Sequence, residues 1–354
     1  MEPKSPLGEA VRSFWPLLVL VALVLVVVIV IQAFGDRILS QSLTEALIRL
    51  SVVVGLYIFI GNSGIISFGH IGFMMIGAYA TAWQTMDPMT KDIFIPGLPA
   101  YLLANSHHWV LAVIVGGLLA ALVAFITGLA LMRLSGIAAS IGTFALFMSF
   151  YAFYLQLSSW TAGQSSLVGI PVTTTPWVAM IFALVAMVSA FIYSRSRFGL
   201  ALRASREDEV AAKAAGINVT WQRVISFTIS AFFVGMAGGL YGHFLGLLTV
   251  DTFYLPLTFI TLAMLVVGGM QSLSGAVIGT LVISFLIEFL RSMESGMDIG
   301  VLVIDLPASS AEVGLGVVML LILIFRPTGL TRNAEIYWPW KHKVAIASIT
   351  KRQS

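Results

Sequence analysis

The sequence predicts an all-α polytopic membrane protein with about eight to ten transmembrane helices, including two short or discontinuous helix pairs. Three observations support this fold class. Hydrophobic residues make up 59% of the 354 residues and charged residues only 10%, whereas soluble domains carry roughly 25% charged residues. The apolar residues form runs that approach the roughly 20 residues needed to cross a bilayer. Basic residues are concentrated between these runs and in the tails.

The chain contains ten apolar runs, each of which we expect to be helical because lipid offers no partner to an unpaired strand edge. They cover residues 15–34, 44–60, 65–83, 109–132, 136–157, 176–194, 222–248, 256–268, 275–290 and 307–325. The first run is too long for a secretory signal and lacks a small-residue cleavage site, so we interpret it as a retained span. Residues 1–340 are predicted to form one transmembrane domain and residues 341–354 a basic cytoplasmic tail.

Two pairs of runs are interrupted by glycine-rich segments. The first interruption covers residues 61–64 and the second residues 268–275. Two such pairs, in the first and last thirds of a chain, are typical of transporters built from two related halves, in which discontinuous helices form the binding or gating site. Glycine also lets helices pack closely, so packing and a role in the pathway are alternatives for each break.

Small and polar residues at these breaks are our candidates for the translocation pathway, because freed backbone groups there would meet the ammonium and carboxylate of a zwitterionic substrate. The candidates are Asn62, Ser63, Gly64, Ser67, Gly69, His70, Gly268, Gly269, Ser272, Ser274 and Gly275. His70 lies within an apolar run and is either functional or a neutral histidine hydrogen-bonded between helices. Glu288 and Glu312 pose the same alternative, since each lies near a span end, where it could reach water or pair with Arg291.

The basic residues predict which loops face the cytoplasm. Arginine and lysine gather in the loop of about residues 195–222 and in the tail from Arg326, whereas the segments near 84–108 and 291–306 lean acidic. We therefore expect both termini in the cytoplasm. With this topology, each interrupted pair is expected to leave and re-enter the membrane on the outer side.

The cytoplasmic loop contains a short helix with polar caps. Ser205 is placed to cap it, acidic residues occupy its first turn, and Gly216 can end it. A rigid capped helix between two spans is suited to docking into a motor protein, and a solvated loop that obeys the positive-inside rule is the alternative. The candidate ATPase-coupling residues are Arg203, Arg206, Glu207, Asp208, Glu209, Ala211, Ala212 and Gly216.

The stretch from Glu209 to Gly216, EVAAKAAG, resembles the EAA-type coupling motif of ABC importer permeases. Beyond it, FTISA at 227–231, GMAGGL at 235–240, FRPTGL at 325–330 and both interrupted pairs are similar to the branched-chain amino acid permease family in order and spacing. The resemblance covers about residues 44–330 and fits the longer, LivM-type subunit best. Met270 and Gln271 depart from the family pattern, in which a further small residue is usual.

This resemblance implies an ABC importer permease fold and a subunit that forms the path for leucine, isoleucine and valine. It also implies the partners: a sister permease subunit of the LivH type in a heterodimer, two cytosolic ATPase subunits of the LivG and LivF types, and a periplasmic substrate-binding protein. The implied location is the inner membrane of a bacterium. Because the chain lacks a phosphate-loop motif, ATP and magnesium are expected in the ATPase partners, and no cofactor is expected in this chain.

Other functions stay open at this point. A related permease would carry urea, an amide, another amino acid or a sugar, and an ion-coupled secondary transporter would also use discontinuous helices. The chain has no cysteine, and the pair His107 and His108 lacks the i, i+4 spacing of a helical metal site, so we predict neither a metal site nor a catalytic site. Nucleic acid is not an expected partner, because the basic residues follow the positive-inside pattern.

Overall fold

A computed structural model describes residues 6–294, 297–298, 303–304, 310–326 and 328–336. The predicted tail of residues 341–354 lies outside the described residues. The described helices are α1 (Pro6–Phe34), α2 (Arg37–Ser63), α3 (His70–Thr85), α4 (Pro88–Phe94), α5 (Ala100–Ala104), α6 (Trp109–Leu131), α7 (Gly136–Gln156), α8 (Ser158–Thr161), α9 (Pro176–Arg195), α10 (Arg197–Glu207), α11 (Glu209–Ala214), α12 (Val219–Leu245), α13 (Leu255–Gly268), α14 (Leu273–Glu294) and α15 (Ser310–Phe325).

Strands contribute little to the described part of the chain. Strand β1 (Leu167–Val168) pairs antiparallel with β2 (Leu247–Leu248), and β3 (Met297–Asp298) pairs with β4 (Val303–Ile304). Each strand has two residues, so the fold is carried by helices.

Eight of the described helical stretches are long and apolar enough to cross a membrane. Two shorter apolar helices, α3 and α15, bring the number of candidate crossing segments among the described residues to ten. The predicted fold class is therefore confirmed, and every predicted apolar run overlaps a described helix.

The core of the bundle is formed around α12, which packs against α2, α3 and α6, and α3 and α6 also pack against each other. The apolar stretch of α2 is 94% buried and that of α12 is 78% buried, against 22% for α1 and 17% for α7. α2 and α12 are thus central helices, whereas α1 and α7 lie at the periphery with apolar faces exposed.

Glycines allow these core helices to touch backbone to backbone. A Cβ atom added at Gly77 of α3 would lie 2.1 Å from the carbonyl oxygen of Gly235 in α12, and one at Gly238 would lie 2.0 Å from that of Met74. A Cβ at Gly116 of α6 would lie 2.7 Å from the carbonyl oxygen of Gly77. Small residues at helix contacts are how membrane helices gain close packing without a hydrophobic driving force.

The two helix breaks lie at the end of the bundle that carries α10 and α11, which we call the coupling end. Arg206 of α10 donates to the carbonyl oxygen of Gly61, 2.7 Å away, near the end of α2. A Cβ at Gly61 would lie 2.7 Å from the carbonyl oxygen of Met270, between α13 and α14. The prediction that both pairs turn on the side opposite the coupling loop is therefore wrong.

The reason for this error is the length of α2. The sequence assigned it only the apolar residues 44–60, but the helix begins at Arg37 and has 27 residues, enough to cross a bilayer completely. Hydropathy missed its first turns because they carry charged and polar side chains, of which Ser40 bonds to Gln32 of α1 and Ser42 to Glu288 of α14. The first break also begins later than predicted, since α2 continues through Ser63 and the interruption covers residues 64–69.

Candidate coupling and translocation site

The coupling loop contains two short helices, where the sequence predicted one. Ser196 caps α10 by accepting from the Gly199 N–H, and Asp208 caps α11 by accepting from the N–H groups of Val210 and Ala211, each at 2.9 Å. Ser205 is not a cap, because its hydroxyl donates to the Leu202 carbonyl within α10. The chain bends at Asp208, whose backbone is extended, because this residue ends one helix and caps the next.

Glu209 fixes α11 to the start of α12. Its carboxylate pairs with Lys213 at 2.8 Å and with the buried Arg223 at 2.7 Å. Hydrogen bonds from these two cations hold the pKa of Glu209 below its usual range. Glu209 therefore acts in this chain as an internal anchor, and the outward surface of α11 is formed by residues such as Val210, which is 78% exposed. Gly216 follows α11 with a φ of +83°, a conformation that favours glycine.

Arg206 connects α10 to the first break. In addition to its bond to Gly61, its side chain covers Gly64, where an added Cβ would lie 2.7 Å from the Arg206 Cγ. Gly64 adopts a φ of +73° and ends α2. A cation at the carboxyl end of a helix binds the free carbonyl groups and complements the helix dipole. Glu207 holds the same guanidinium at 2.6 Å, and Arg203 donates to the Ser194 carbonyl at the end of α9.

The predicted pathway residues at the first break are buried, except for Gly64, which is exposed, and they bond within the bundle. Asn62 donates to the Ile58 carbonyl at 2.9 Å, and the hydroxyl of Ser67 lies 2.8 Å from Nδ1 of His70. Ser63 accepts from the Ile65 N–H, which tightens the turn after α2. The structure thus brings this group together as a packed turn.

His70 begins α3 inside an aromatic enclosure. Its ring centroid lies 5.6 Å from that of Phe59 and 5.2 Å from that of Phe227. On the opposite side, Thr143 of α7 accepts from the Phe68 N–H at 3.3 Å, and its carbonyl oxygen would lie 2.8 Å from a Cβ at Gly69. The ring of His70 is thus hydrogen-bonded to Ser67 in the turn before α3 and not between helices, while its Nε2 has no hydrogen-bond partner among the described residues.

The predicted pathway residues at the second break mainly provide close backbone contact. A Cβ at Gly268 would lie 2.0 Å from the carbonyl oxygen of Gly275, so α13 and α14 touch there. Gly269 has a φ of +121° and makes the turn. Ser272 accepts from the Gly275 N–H at 3.0 Å and caps the first turn of α14.

The second break is covered by residues that follow α15. The Glu335 carboxylate accepts from the N–H groups of Leu273 and Ser274 at 2.7 and 3.1 Å, and from the Ser274 hydroxyl at 2.6 Å. Leu330 donates its N–H to the Val267 carbonyl at 2.8 Å. Glu335 could not be found from the sequence, because a contact between residues 62 positions apart has no local pattern.

The match with known proteins agrees with this architecture. Residues 38–325 match the family described as the permease component of the branched-chain amino acid transport system. The chain belongs to this permease family. The predicted family is thus confirmed. No solved structure matches the chain.

Three relatives show how far this similarity extends. The permease is 25% identical over 325 residues to the high-affinity branched-chain amino acid transport system permease protein LivM of Escherichia coli, covering 81% of this chain and 68% of that protein. It is 26% identical over 305 residues to the corresponding LivH protein of the same organism, covering 80% and 91%. Over 83 residues it is 39% identical to the guanosine ABC transporter permease protein NupQ of Bacillus subtilis, covering 23% and 26%.

The permease also contains an ion pair within a membrane-crossing helix that sequence reading missed. Glu45 and Arg49 of α2 lie one turn apart, pair at 2.5 Å and are 17% and 10% exposed. Arg291 of α14 approaches Glu45 at 3.9 Å. Glu288 does not pair with Arg291, because its carboxylate accepts from the Ser42 hydroxyl at 2.6 Å. The i, i+4 spacing of opposite charges was the signal available for this pair.

A cavity of about 450 Å³ lies between α1, α2 and α14 in the permease. Its lining is apolar except for Ser42, Ser284 and Glu288, and it contains none of the predicted pathway residues. Glu312 belongs to α15, but its side chain lies outside the described residues.

Proposed function

We propose that this permease forms the membrane path of an ATP-driven importer for branched-chain amino acids such as leucine, isoleucine and valine. The family match over residues 38–325 carries this proposal. The attachment of α10 and α11 to the first helix break supports it, because an importer subunit must transmit movement from a motor to its spanning helices. The names of the LivM and LivH relatives support the substrate class.

The chain is a transport subunit, and we propose that ATP hydrolysis takes place in two separate ATPase subunits, of the LivG and LivF types, that bind ATP and magnesium. The sequence has no phosphate-loop motif of its own. The exposed face of α10 and α11, with Glu207 72% and Val210 78% exposed, is a surface on which such a subunit would dock. The candidate coupling residues Arg203, Arg206 and Asp208 would then keep this surface fixed relative to the bundle.

The remaining parts of the proposed assembly are a sister permease of the LivH type in a heterodimer and a periplasmic binding protein. The permease would lie in a bacterial inner membrane with α10, α11 and both termini in the cytoplasm. Positive-inside charge supports this orientation, because the loop of residues 195–222 is rich in arginine. The packing of Phe14 against Phe191, at 5.6 Å between centroids, puts the start of α1 at the coupling end.

Purification and reconstitution test this proposal. The permease is isolated from its native host in mild detergent, its co-purifying subunits are identified, and the complex is placed in proteoliposomes with its binding protein. We expect ATP-dependent uptake of labelled leucine that isoleucine and valine inhibit. Uptake that follows an ion gradient and ignores ATP would overturn the importer assignment. Inhibition by guanosine but not by leucine would assign the substrate class of the NupQ relative instead.

A further inference from the structure

The segment of residues 328–336, which we call the C-terminal clamp, closes both helix ends at the second break. At the start of α14, Glu335 accepts three hydrogen bonds from Leu273 and Ser274. The first N–H groups of a helix have no partner within it, so a carboxylate placed there satisfies them and complements the helix dipole. Glu335 thus caps a helix that lies about 60 residues before it.

The same clamp satisfies the end of α13. Thr331 donates its N–H and its hydroxyl to the Gly268 carbonyl, at 3.1 and 2.8 Å, and its hydroxyl also lies 3.1 Å from that of Ser272. Gly329 adopts a φ of +77°, and a Cβ there would lie 2.6 Å from the Gly269 nitrogen. The clamp therefore touches the break with its own backbone, and it joins α13 and α14 to the end of α15.

A continuous series of contacts links this clamp to the coupling helices. Arg206 of α10 binds Gly61 at the end of α2, and Gly61 lies against the Met270 carbonyl in the second break. Movement of α10 would therefore reach α13 and α14 through Met270. α13 and α14 can follow this movement as a single body only if the break between them is held together. The clamp makes the contacts that hold it together.

We propose that the C-terminal clamp is a coupling element, in which Glu335 and Thr331 position α13, α14 and α15 as one body that follows α10. This proposal rests on the proposed importer function. Glu335 is a positioning residue, because it contacts the helix break and acts on transport through it.

The first experiment compares Glu335→Ala and Glu335→Gln with Arg332→Ala in the reconstituted complex. Arg332 lies in the same clamp with an exposed side chain. Because Glu335→Ala removes three hydrogen bonds to a charged group that hold α14 to the clamp, we expect it to lower uptake by about tenfold. ATP hydrolysis should continue, so more ATP is consumed per solute. Uptake by Glu335→Gln should fall between that of Glu335→Ala and that of the parent, and uptake by Arg332→Ala should equal that of the parent.

If Glu335→Ala lost uptake, ATP hydrolysis and thermal stability in parallel, the clamp would only stabilise the fold, and the proposal would be overturned. Unchanged uptake would also overturn it. The ratio of ATP hydrolysis to uptake is measured with whichever solute the parent complex carries. If the parent complex transports a different solute, the proposed substrate is contradicted. The ratio of ATP hydrolysis to uptake can still be compared among the variants, so the clamp is still tested.

The second experiment replaces the lost contact with a disulfide. The chain has no cysteine, and the Ser272 and Thr331 hydroxyls lie 3.1 Å apart, so Ser272→Cys and Thr331→Cys place two sulfurs within bonding reach. In a Glu335→Ala background, oxidation should restore uptake several-fold over the reduced form of the same protein. Oxidation that stops uptake, with recovery on reduction, would show that the clamp must detach and would overturn the proposal. An oxidised form no more active than the reduced one would overturn it as well.

Discussion

The two helix breaks lie at the same end of the permease but are closed in different ways. Side chains from other helices close the first break: Arg206 of α10 covers Gly64, and Thr143 of α7 binds the turn before His70. At the second break, the chain's own C-terminal clamp lies against Gly269 with its backbone, and Glu335 caps the next helix. Two similar glycine-rich breaks are therefore attached to different parts of the chain. The first is attached to α10 and the second to the segment that follows α15.

This difference bears on how each break responds to force. The Arg206 side chain is long and has several rotatable bonds, so it can adjust to small shifts of α10 while it keeps the hydrogen bond to Gly61 and passes larger movements on through it. The second break has no such freedom, because the backbones of Gly268 and Gly275 are in contact. A Cβ atom added at Gly268 would lie 2.0 Å from the Gly275 carbonyl oxygen. The first break is the adaptable joint, and the second is the stiff one.

The largest effect is expected from alanine at the stiff joint. Gly268→Ala puts a methyl group against a backbone oxygen, and overpacking of this kind costs about 3 kcal/mol of stability. Gly64→Ala is the matched change at the adaptable joint, where the neighbour is a flexible arginine, and a left-handed alanine costs about 1 kcal/mol. Thermal unfolding in detergent measures both. Equal losses would show that the two joints do not differ in stiffness.

The next effect concerns the aromatic enclosure at the first break. His70→Ala leaves a cavity beside Phe59 and Phe227, and a large-to-small change in a packed interior should cost about 2 kcal/mol. Uptake per folded molecule should stay within roughly twofold of the parent if His70 only packs. Uptake that disappears while the folded fraction stays high would make His70 a pathway residue.

The sequence alone predicted where the helices lie, but it did not predict where all of them begin and end. α6, α7 and α9 begin and end within one residue of the predicted runs, because uninterrupted apolar sequence in lipid can only be helical. The start of α2 was missed because Arg37, Ser40, Gln41 and Ser42 lower the local hydropathy of its first turns. The remaining features depend on contacts between distant segments. They are the end of the bundle at which the breaks lie, the caps from Glu335 and Arg206, and the hydrogen bond to Thr143.

A smaller effect tests the adaptable joint itself. Arg206→Ala removes the charged bond to Gly61, so we expect roughly tenfold slower uptake and a loss of stability of about 1.5 kcal/mol, smaller than that of Gly268→Ala. Arg206→Lys should recover part of the rate, because it restores a cation but not the forked guanidinium. Arg197→Ala, at an exposed position of the same helix, controls for lost charge. If both alanine variants transport equally well, the Arg206 contact does not carry coupling.

The smallest effect is the acid response of α11. The pKa of Glu209 is lowered by Lys213 and Arg223, so this carboxylate stabilises the docked loop above its unfolded pKa, near 4.3. That stabilisation is lost as the pH falls through the lower folded pKa, and it should amount to less than about 1 kcal/mol. The hydrogen-exchange protection of the α11 amides, corrected for the intrinsic pH dependence of exchange and measured between about pH 3 and pH 7, should fall only at the acid end. Glu209→Gln should remove this dependence; a parent protein with no acid dependence would contradict the anchoring role.

The glycine contacts among α3, α6 and α12 limit how proteins of this kind can diverge. At Gly77 and Gly238 any side chain would strike the backbone of a neighbouring helix, and at Gly235 it would strike the Cβ of Ala120. Substitutions that adapt the protein to a new cargo must therefore accumulate on helix faces outside this triple contact. Sequence variation among relatives with different cargoes should map to those faces, while the three central helices keep their small residues.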